Sequence, residues 1–303
     1  MLQLSAKSMR KRVLISALIA VASGGFCWFL LARLNQDAAD FRWAIHAAQR
    51  MAQRQSPYDT PLEQYPLTAA VFALPFVKMP PALAAGIFFG ISSGLLAFGL
   101  TKDGYQRLFV FLAYPYWAAV LTAQWSPLIA ASACLWWLLP ATMAKPQIGL
   151  PVFLTYLSKR GAMACGLVAG LTLLWMPKWP LLWIKQMGYY EHFVPVLVVP
   201  GFLVLLGLFR FRHRDARLLV LTALVPQRWF FDAFILWLIP KTRREILITV
   251  LFSWGAGIWR WYHIPKSFAE VGRWDVVFIY LPMLAIVLLR GKGVQWLEDR
   301  EGR

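Results

Sequence analysis

Long apolar runs separated by short basic loops dominate this sequence of 303 residues. Hydrophobic residues make up 59% of the chain and charged residues only 15%, whereas a soluble domain carries about 25% charged residues. The run Val13–Leu34 is long enough to cross the ~30 Å hydrocarbon core of a bilayer as a helix. Within lipid, only helices and closed barrels satisfy their own backbone groups. The sequence therefore predicts an all-α polytopic membrane protein, with residues 1–303 forming a single integral membrane domain.

The positive charge of the chain follows the same division into runs and loops. The formal net charge is +17, but the cations are dispersed between apolar runs, so nucleic acid is excluded as a partner. The excess of cations in loops follows the positive-inside rule. The basic loops include residues 102–107, 210–217 and 241–244. The pattern predicts about eight full crossings plus half-helices, with the N- and C-termini in the cytoplasm.

Several classes of chemistry are not favoured by the sequence. It contains no Walker A loop, zinc signature or GxSxG motif. The three cysteines, Cys27, Cys134 and Cys165, lie in apolar runs without metal-ligand spacing. No metal site and no cofactor are predicted, while metal dependence stays open. An ion-coupled transporter would be expected to contain inverted repeats and acidic residues at mid-membrane, and no repeat is visible.

One long polar segment, residues 33–65, follows the first apolar run and is predicted to lie on the outer side. From Asp40 to Arg54 its apolar residues recur with helical period, which predicts an amphipathic helix on the membrane surface. The shared apolar face contains Phe41, Ala44, Ala48 and Met51. The next stretch, Pro66–Val77, is too short to cross the bilayer and is predicted to be a half-helix.

Ionisable residues that face or enter the membrane are functional hypotheses by default. Carboxylates on the outer side can act as bases, and cations there can hold an anionic lipid headgroup. The candidates on that side are Asp37, Asp40, Arg42, Arg54, Lys145, His192, Arg228 and Asp232.

The outer segment also carries an ordered series of short motifs. They are Asp40-Phe41, Ala47-Ala48, Pro57-Tyr58-Asp59, Tyr65-Pro66-Leu67 and Leu74-Pro75. This order resembles the first-loop pattern of the polyprenol-phosphate-dependent GT-C glycosyltransferases, and most closely the bacterial branch that contains the mannosyltransferases of phosphatidylinositol mannoside synthesis. Ala123-Gln124 and Lys145-Pro146 are similar to the Gly-Gln and Lys-Pro elements of that branch. The similarity covers residues 33–160, and the chain is short for the family.

The resemblance implies a fold, a reaction and a location. The fold would be a GT-C-like bundle in a bacterial inner or plasma membrane. A hexose such as mannose would pass, with inversion, from a polyprenyl-phosphate donor to a lipid or envelope-glycan acceptor on the outer side. Because phosphate is already a good leaving group, one carboxylate base suffices, whereas glycoside hydrolysis usually needs two carboxyl groups.

The resemblance also implies roles for individual residues. Asp40 would be the catalytic base, and Lys145, Arg228 and Gln124 would bind the donor phosphate. The residues expected to contact substrate are Asp37, Arg42, Tyr65, His192 and Asp232. The implied partners are the donor, the acceptor and membrane lipids.

Plainer interpretations of the same residues stay open at this point. Asp40 can be the N-cap of the outer helix, and Asp37 can exchange roles with it. Lys145 can simply extend to the membrane interface. Arg228 and Asp232 are one helical turn apart and can neutralise each other.

The remaining candidates and the protein as a whole also have a second interpretation. Arg42 can be solvated or bind headgroups, and His192 can be an interfacial anchor. The alternative function is a non-catalytic membrane protein that binds or moves lipid-linked glycans, or a subunit of an envelope machine. The distinguishing feature is whether Asp40, Lys145 and Arg228 converge on one cavity.

Overall fold

The computed structural model describes residues 6–59, 65–187 and 191–290, which form helices joined by short loops. In this part of the chain β-type pairing is limited to one isolated bridge, between Phe193 and Gln227. The described α-helices are α1 (Ala6–Leu34), α2 (Phe41–Ala52), α3 (Leu67–Ala73), α4 (Pro81–Leu100), α5 (Tyr114–Leu121), α6 (Ser126–Ser132), α7 (Pro146–Tyr156), α8 (Lys159–Trp175), α9 (Trp179–Gln186), α10 (Arg214–Leu224), α11 (Arg243–Tyr262), α12 (Phe268–Asp275) and α13 (Leu281–Leu289). The predicted all-α class is confirmed for these residues.

Several connections between these helices are themselves helical. The 3₁₀ segments are Pro57–Asp59, Leu74–Phe76, Tyr105–Leu112, Trp136–Met143, Pro195–Leu197, Gly201–Arg210 and Phe230–Leu238, and Val276–Tyr280 is a π-helix that joins α12 to α13. Some apolar runs of the sequence are therefore broken into two segments. The run Leu108–Thr122, for example, is a 3₁₀ segment followed by α5, because Pro115 cannot donate a backbone hydrogen bond within a continuous helix.

Three helices among the described residues are long and apolar enough to cross a membrane: Ser8–Leu34, Pro81–Leu100 and Phe268–Leu289. The α8–α9 pair would make a fourth if it is one span, and it is bent by 93°. These helices indicate an integral membrane protein. By length and composition they account for three or four crossings, so the predicted number of eight depends on joining shorter helices.

The first of these spans is fixed to α4 by glycines. A Cβ atom added to Gly90 would lie 2.6 Å from the carbonyl oxygen of Ala20, and one added to Gly86 would lie 2.8 Å from that of Gly24. Side chains at these positions would force the helices apart, so the small residues permit close backbone contact, as is common between membrane helices. This contact fixes α1, from which the polar outer segment begins.

The predicted outer helix is present as α2, but its surroundings differ from the expectation. Its apolar face is buried within the protein: Phe41, Ala44 and Ala48 have no exposed surface. Phe41 stacks on Phe88 of α4 at a ring-centroid distance of 4.0 Å, and α2 also packs against α3. The helix is therefore seated on the protein through the face that was predicted to lie on the membrane. The packing of α2 against α3 and α4 fixes the position of Asp40, the residue that directly precedes α2.

A cluster of charged side chains joins several helices near the start of α10. The guanidinium group of Arg290 bonds to Asp215 near the start of α10 and, at 3.0 Å, to Glu245 near the start of α11. Burial alone would raise the pKa of Glu245, but hydrogen bonds from Arg290 and from two backbone amides lower it overall. The last described residue thereby clamps two helices. Since α10 ends at Leu224, this clamp and the turn at 226–229 lie at opposite ends of the helix.

Candidate functional site

The backbone around Asp40 is held in an uncommon conformation. Asn35, Asp37 and Ala39 all have positive φ angles, of 54°, 45° and 46°, a region that residues with side chains seldom adopt. The backbone N–H of Asp40 donates a hydrogen bond to the carbonyl oxygen of Thr122, with an N···O distance of 3.1 Å. Strained residues of this kind persist where surrounding contacts impose them, and they cluster at functional sites. The loop thereby places Asp40 against the turn that follows α5.

The Asp40 carboxylate is directed away from the helix that it precedes. Asp40 occupies the N-cap position of α2 but makes no side-chain capping hydrogen bond. Its Oδ2 instead accepts hydrogen bonds from the Tyr65 hydroxyl at 2.8 Å and from Gln124 Nε2 at 2.5 Å. Oδ1 accepts no hydrogen bond from the described residues, and the side chain is 27% exposed. The Asp40 carboxylate therefore does not cap α2.

A series of polar contacts continues from Asp40 into the protein. Gln124 receives a hydrogen bond at its Oε1 from Lys145 Nζ, at 2.7 Å. Lys145 Nζ also lies 2.8 Å from Asp232 Oδ1 and 3.8 Å from Asp40 Oδ2. Lys145 is only 4% exposed and Asp232 is fully buried. Lys145 is therefore a buried cation between two carboxylates, and not a side chain that reaches to the membrane interface.

Asp232 also fixes the turn that carries Arg228. Its Oδ2 accepts a hydrogen bond from the backbone N–H of Arg228, with an N···O distance of 2.9 Å. One buried carboxylate thus holds the ammonium group of Lys145 with one oxygen and the backbone of the turn with the other. Arg228 and Asp232 are close to each other, as predicted, and the contact is made by the backbone N–H of Arg228.

These groups line one cavity of about 260 Å³. The lining residues are Asp40, Trp43, Tyr65, Pro66, Thr122, Gln124, Ala144, Lys145, Gln147, Arg228, Trp229 and Phe231. One carboxylate, Asp40, and two cations, Lys145 and Arg228, line it, and the buried carboxylate of Asp232 reaches it through its ion pair with Lys145. The N-terminus of α7, which starts at Pro146 directly after Lys145, also faces this region, and helix N-termini favour bound anions.

Aromatic packing supports the polar series from behind. Trp125, the neighbour of Gln124, is fully buried and contacts Phe41, Phe88 and Tyr65, at ring-centroid distances of 5.8, 4.8 and 6.2 Å. Tyr58 donates a hydrogen bond from its hydroxyl to the Tyr65 carbonyl oxygen at 3.1 Å. These contacts explain why the Tyr58 and Tyr65 motifs accompany Asp40. The Tyr58 hydroxyl fixes the backbone of Tyr65, and the Tyr65 hydroxyl donates to the Asp40 carboxylate.

The turn before Gln124 has the same uncommon backbone as the Asp40 loop. Ala123 has a φ of 48°, which costs roughly 1–2 kcal/mol for a residue with a Cβ atom. Glycine would adopt this conformation without that cost. The requirement for a positive φ is therefore met at this position by an alanine under strain.

The structure thus brings together Asp40, Gln124, Lys145, Arg228, Tyr65 and Asp232, which the sequence predicted as site residues. It places the other three elsewhere. Asp37 and Arg42 pair with each other at 3.8 Å, with side chains 62% and 56% exposed, and neither lines the cavity. His192 lines a second, larger cavity.

Seven lining residues were not among the predicted site residues. Two of them, Pro66 and Ala144, directly adjoin predicted ones, and the other five are Trp43, Thr122, Gln147, Trp229 and Phe231. Three of these five have a signal in the sequence. Trp43 is three residues after Asp40, one helical turn along, and Gln147 and Trp229 adjoin predicted site residues. Thr122, which offers its carbonyl oxygen, and Phe231 had no sequence signal.

Comparison with known proteins adds no assignment, since no family, curated protein or solved structure matches this chain. Within residues 6–59, 65–187 and 191–290, no three His, Cys, Asp or Glu side chains are arranged to hold a metal ion.

Proposed function

We propose that this chain is an inverting membrane glycosyltransferase that moves a hexose such as mannose from a polyprenyl-phosphate donor to a lipid or envelope-glycan acceptor. The observation that supports it is the series Asp40–Gln124–Lys145–Asp232, whose members hydrogen bond or ion pair in sequence around one cavity. Asp40, a partly exposed carboxylate, is at one end of the series, and Lys145, a buried cation, lies further inside, paired with Asp232. A base and an anion site are the two elements that such a transfer needs.

The cationic end of the cavity suits the donor phosphate. Lys145, Arg228 and the N-terminus of α7 are the positive groups there. As the bond from the sugar to the phosphate breaks, negative charge grows on the phosphate oxygens. Cations placed there stabilise the transition state more than the ground state. No acid has to protonate the leaving phosphate.

Asp40 supplies the base at the other end. Its Oδ2 is held by Tyr65 and Gln124, while Oδ1 has no partner among the described residues. Oδ1 takes the proton from the acceptor hydroxyl, and the hydroxyl oxygen forms a bond to the anomeric carbon. The bond from that carbon to the phosphate oxygen breaks on the opposite side, which inverts the configuration. The fixed Oδ2 contacts orient the carboxylate for this transfer.

The proposed architecture is a GT-C-like bundle in a bacterial plasma membrane. About eight crossings result when shorter apolar helices, such as Leu67–Phe76 and the 3₁₀ segment Gly201–Arg210, are joined to neighbouring segments as broken spans. Broken helices are tolerated within a membrane where they line a protein cavity. The basic loops and both termini would be cytoplasmic, and the site would open on the outer side.

The orientation predicts that a cysteine at position 53 is accessible from outside. Gln53 is exposed at the end of α2, so Gln53→Cys should react with a membrane-impermeant maleimide in intact cells. The matched control is Arg212→Cys, which is exposed in a loop predicted to be cytoplasmic and should react only after permeabilisation. The reverse pattern would refute the outward placement of the site.

The activity itself is tested with purified protein in liposomes and a radiolabelled polyprenyl-phosphate hexose. We expect label to move from the donor into the lipids or glycans of a bacterial envelope extract, and polyprenyl phosphate without a sugar to inhibit the transfer. Saturable binding of the donor without any transfer would instead support the non-catalytic alternative, a protein that binds lipid-linked glycans.

A further inference from the structure

A second cavity of about 620 Å³ adjoins the polar one. It is formed by three separate parts of the chain: residues 191–192, the turn that contains Trp229, and residues 265–271 at the start of α12. Trp229 lines both cavities, so the two adjoin at this residue. The volume lies within the range of about 300–1,000 Å³ that is usual for small-molecule sites.

The lining of this second cavity combines aromatic rings with polar groups. Trp229 and Phe268 contact each other edge to face, with ring centroids 5.7 Å apart. The polar residues around them are Glu191, His192, Lys266 and Ser267. Two guanidinium groups lie over these rings, Arg228 over Phe268 at 5.5 Å and Arg260 over Trp229 at 5.9 Å, and they hold the rings in place from outside the cavity.

This composition fits a ring-shaped ligand that is rich in hydroxyl groups. The C–H bonds on one face of a pyranose carry partial positive charge and pack on the negative face of an aromatic ring. Its hydroxyl groups need donors and acceptors around the edge, which the imidazole, ammonium, hydroxyl and carboxylate groups supply. An acyl chain offers no donors or acceptors to these groups, so it is a poorer fit.

From these observations we infer that the second cavity binds a saccharide on the acceptor, stacked against Trp229, and presents its hydroxyl to Asp40 in the neighbouring cavity. The inference rests on the proposed transferase function. Trp229 then has a specificity role, because it lines both the cavity proposed for the donor and the cavity proposed for the acceptor sugar.

The binding test needs no turnover. Ala269 is exposed and lines the second cavity, and Thr122 lines the first. We expect methyl α-D-mannopyranoside to slow alkylation of Ala269→Cys by N-ethylmaleimide several-fold, with glycerol at equal concentration having no effect. The sugar has a blocked anomeric carbon, so it can act as an acceptor but not as a donor. The same sugar should leave alkylation of Thr122→Cys unchanged, while polyprenyl phosphate should slow it.

A second variant tests the site during transfer. Ala269→Trp fills the cavity with bulk without removing a contact, so it should raise the KM for a saccharide acceptor by about tenfold or more with donor binding unchanged. Ala162→Trp is the matched control, because it makes the same change at an exposed alanine that lines neither cavity, and it should behave as wild type. If transfer occurs but the sugar protects neither cysteine and Ala269→Trp keeps a normal acceptor KM, the inference is wrong and the proposed function stands. If Ala269→Cys is protected but no transfer occurs, the saccharide site stands and the proposed function fails.

Discussion

Asp40→Asn is expected to lower the rate of sugar transfer by roughly 10²–10⁴-fold, the usual contribution of a positioned general base. Asparagine has nearly the same size, and its oxygen can still accept hydrogen bonds from Tyr65 and Gln124, which now hold Oδ2. Folding and donor binding should therefore be retained. The amide cannot take a proton from the acceptor, so the loss should appear in kcat rather than in the KM for the donor.

The matched control for this change is Asp37→Asn. It removes the same charge from the same loop, three residues earlier, but Asp37 is exposed and pairs with Arg42, so transfer should stay close to wild type. A surface ion pair of this kind contributes little to stability. Loss of transfer in Asp37→Asn, together with normal transfer in Asp40→Asn, would identify Asp37 as the base. Normal rates in both variants would remove general base catalysis by this loop from the mechanism.

Lys145→Gln is expected to weaken the binding of polyprenyl phosphate, but it should also destabilise the fold. Lys145 is the charged partner of fully buried Asp232. Removing one member of a buried ion pair leaves an uncompensated charge and typically costs about 3–5 kcal/mol. A melting experiment on the detergent-solubilised protein should therefore show a clear decrease in Tm, and weaker ligand binding by this variant alone would have two explanations.

The double variant Lys145→Gln/Asp232→Asn separates the two explanations. It removes both charges together. The side-chain amides at positions 145 and 232 can still hydrogen bond to each other, and the amide oxygen of the asparagine can accept a hydrogen bond from the Arg228 backbone N–H. We expect most of the lost stability to return. Binding of polyprenyl phosphate, measured with the protein in lipid nanodiscs, should stay at least about tenfold weaker. A double variant that folds well and binds the lipid phosphate as tightly as wild type would exclude Lys145 as a phosphate ligand.

The sequence predicts the helices better than their arrangement. Apolar period predicted α2 within about two residues, because burial of an apolar face follows directly from residue pattern. The predicted run Val13–Leu34 ends where α1 ends, but α1 begins seven residues earlier, at Ala6. The surface placement of α2 was wrong, since the sequence does not reveal that Phe88 and α3 cover the apolar face. Periodicity reveals that a face is buried, and not whether lipid or protein buries it.

The site shows a similar division. The prediction named Asp40, Gln124, Lys145 and Asp232 from charge, position and the family pattern, but not the contacts among them. The pairing of Lys145 with Asp232 joins residues 87 positions apart in sequence (232 − 145), and no local rule predicts such a contact. The polar series also depends on the positive φ of Ala123, which nothing in the residue type indicates.

The balance of charge in the polar cavity bears on how a catalytic cycle would end. Before a donor enters, Asp40 and Asp232 offset Lys145 and Arg228. A donor phosphate adds one negative charge, and the transfer itself conserves the total, because the proton that Asp40 gains matches the charge that the leaving phosphate gains. When Asp40 then releases its proton to water, the cavity holds one further negative charge, and like charges at close range repel strongly where water is scarce. Regeneration of the base would thus help to expel the spent carrier lipid, so that product release and readiness for the next turnover are a single event.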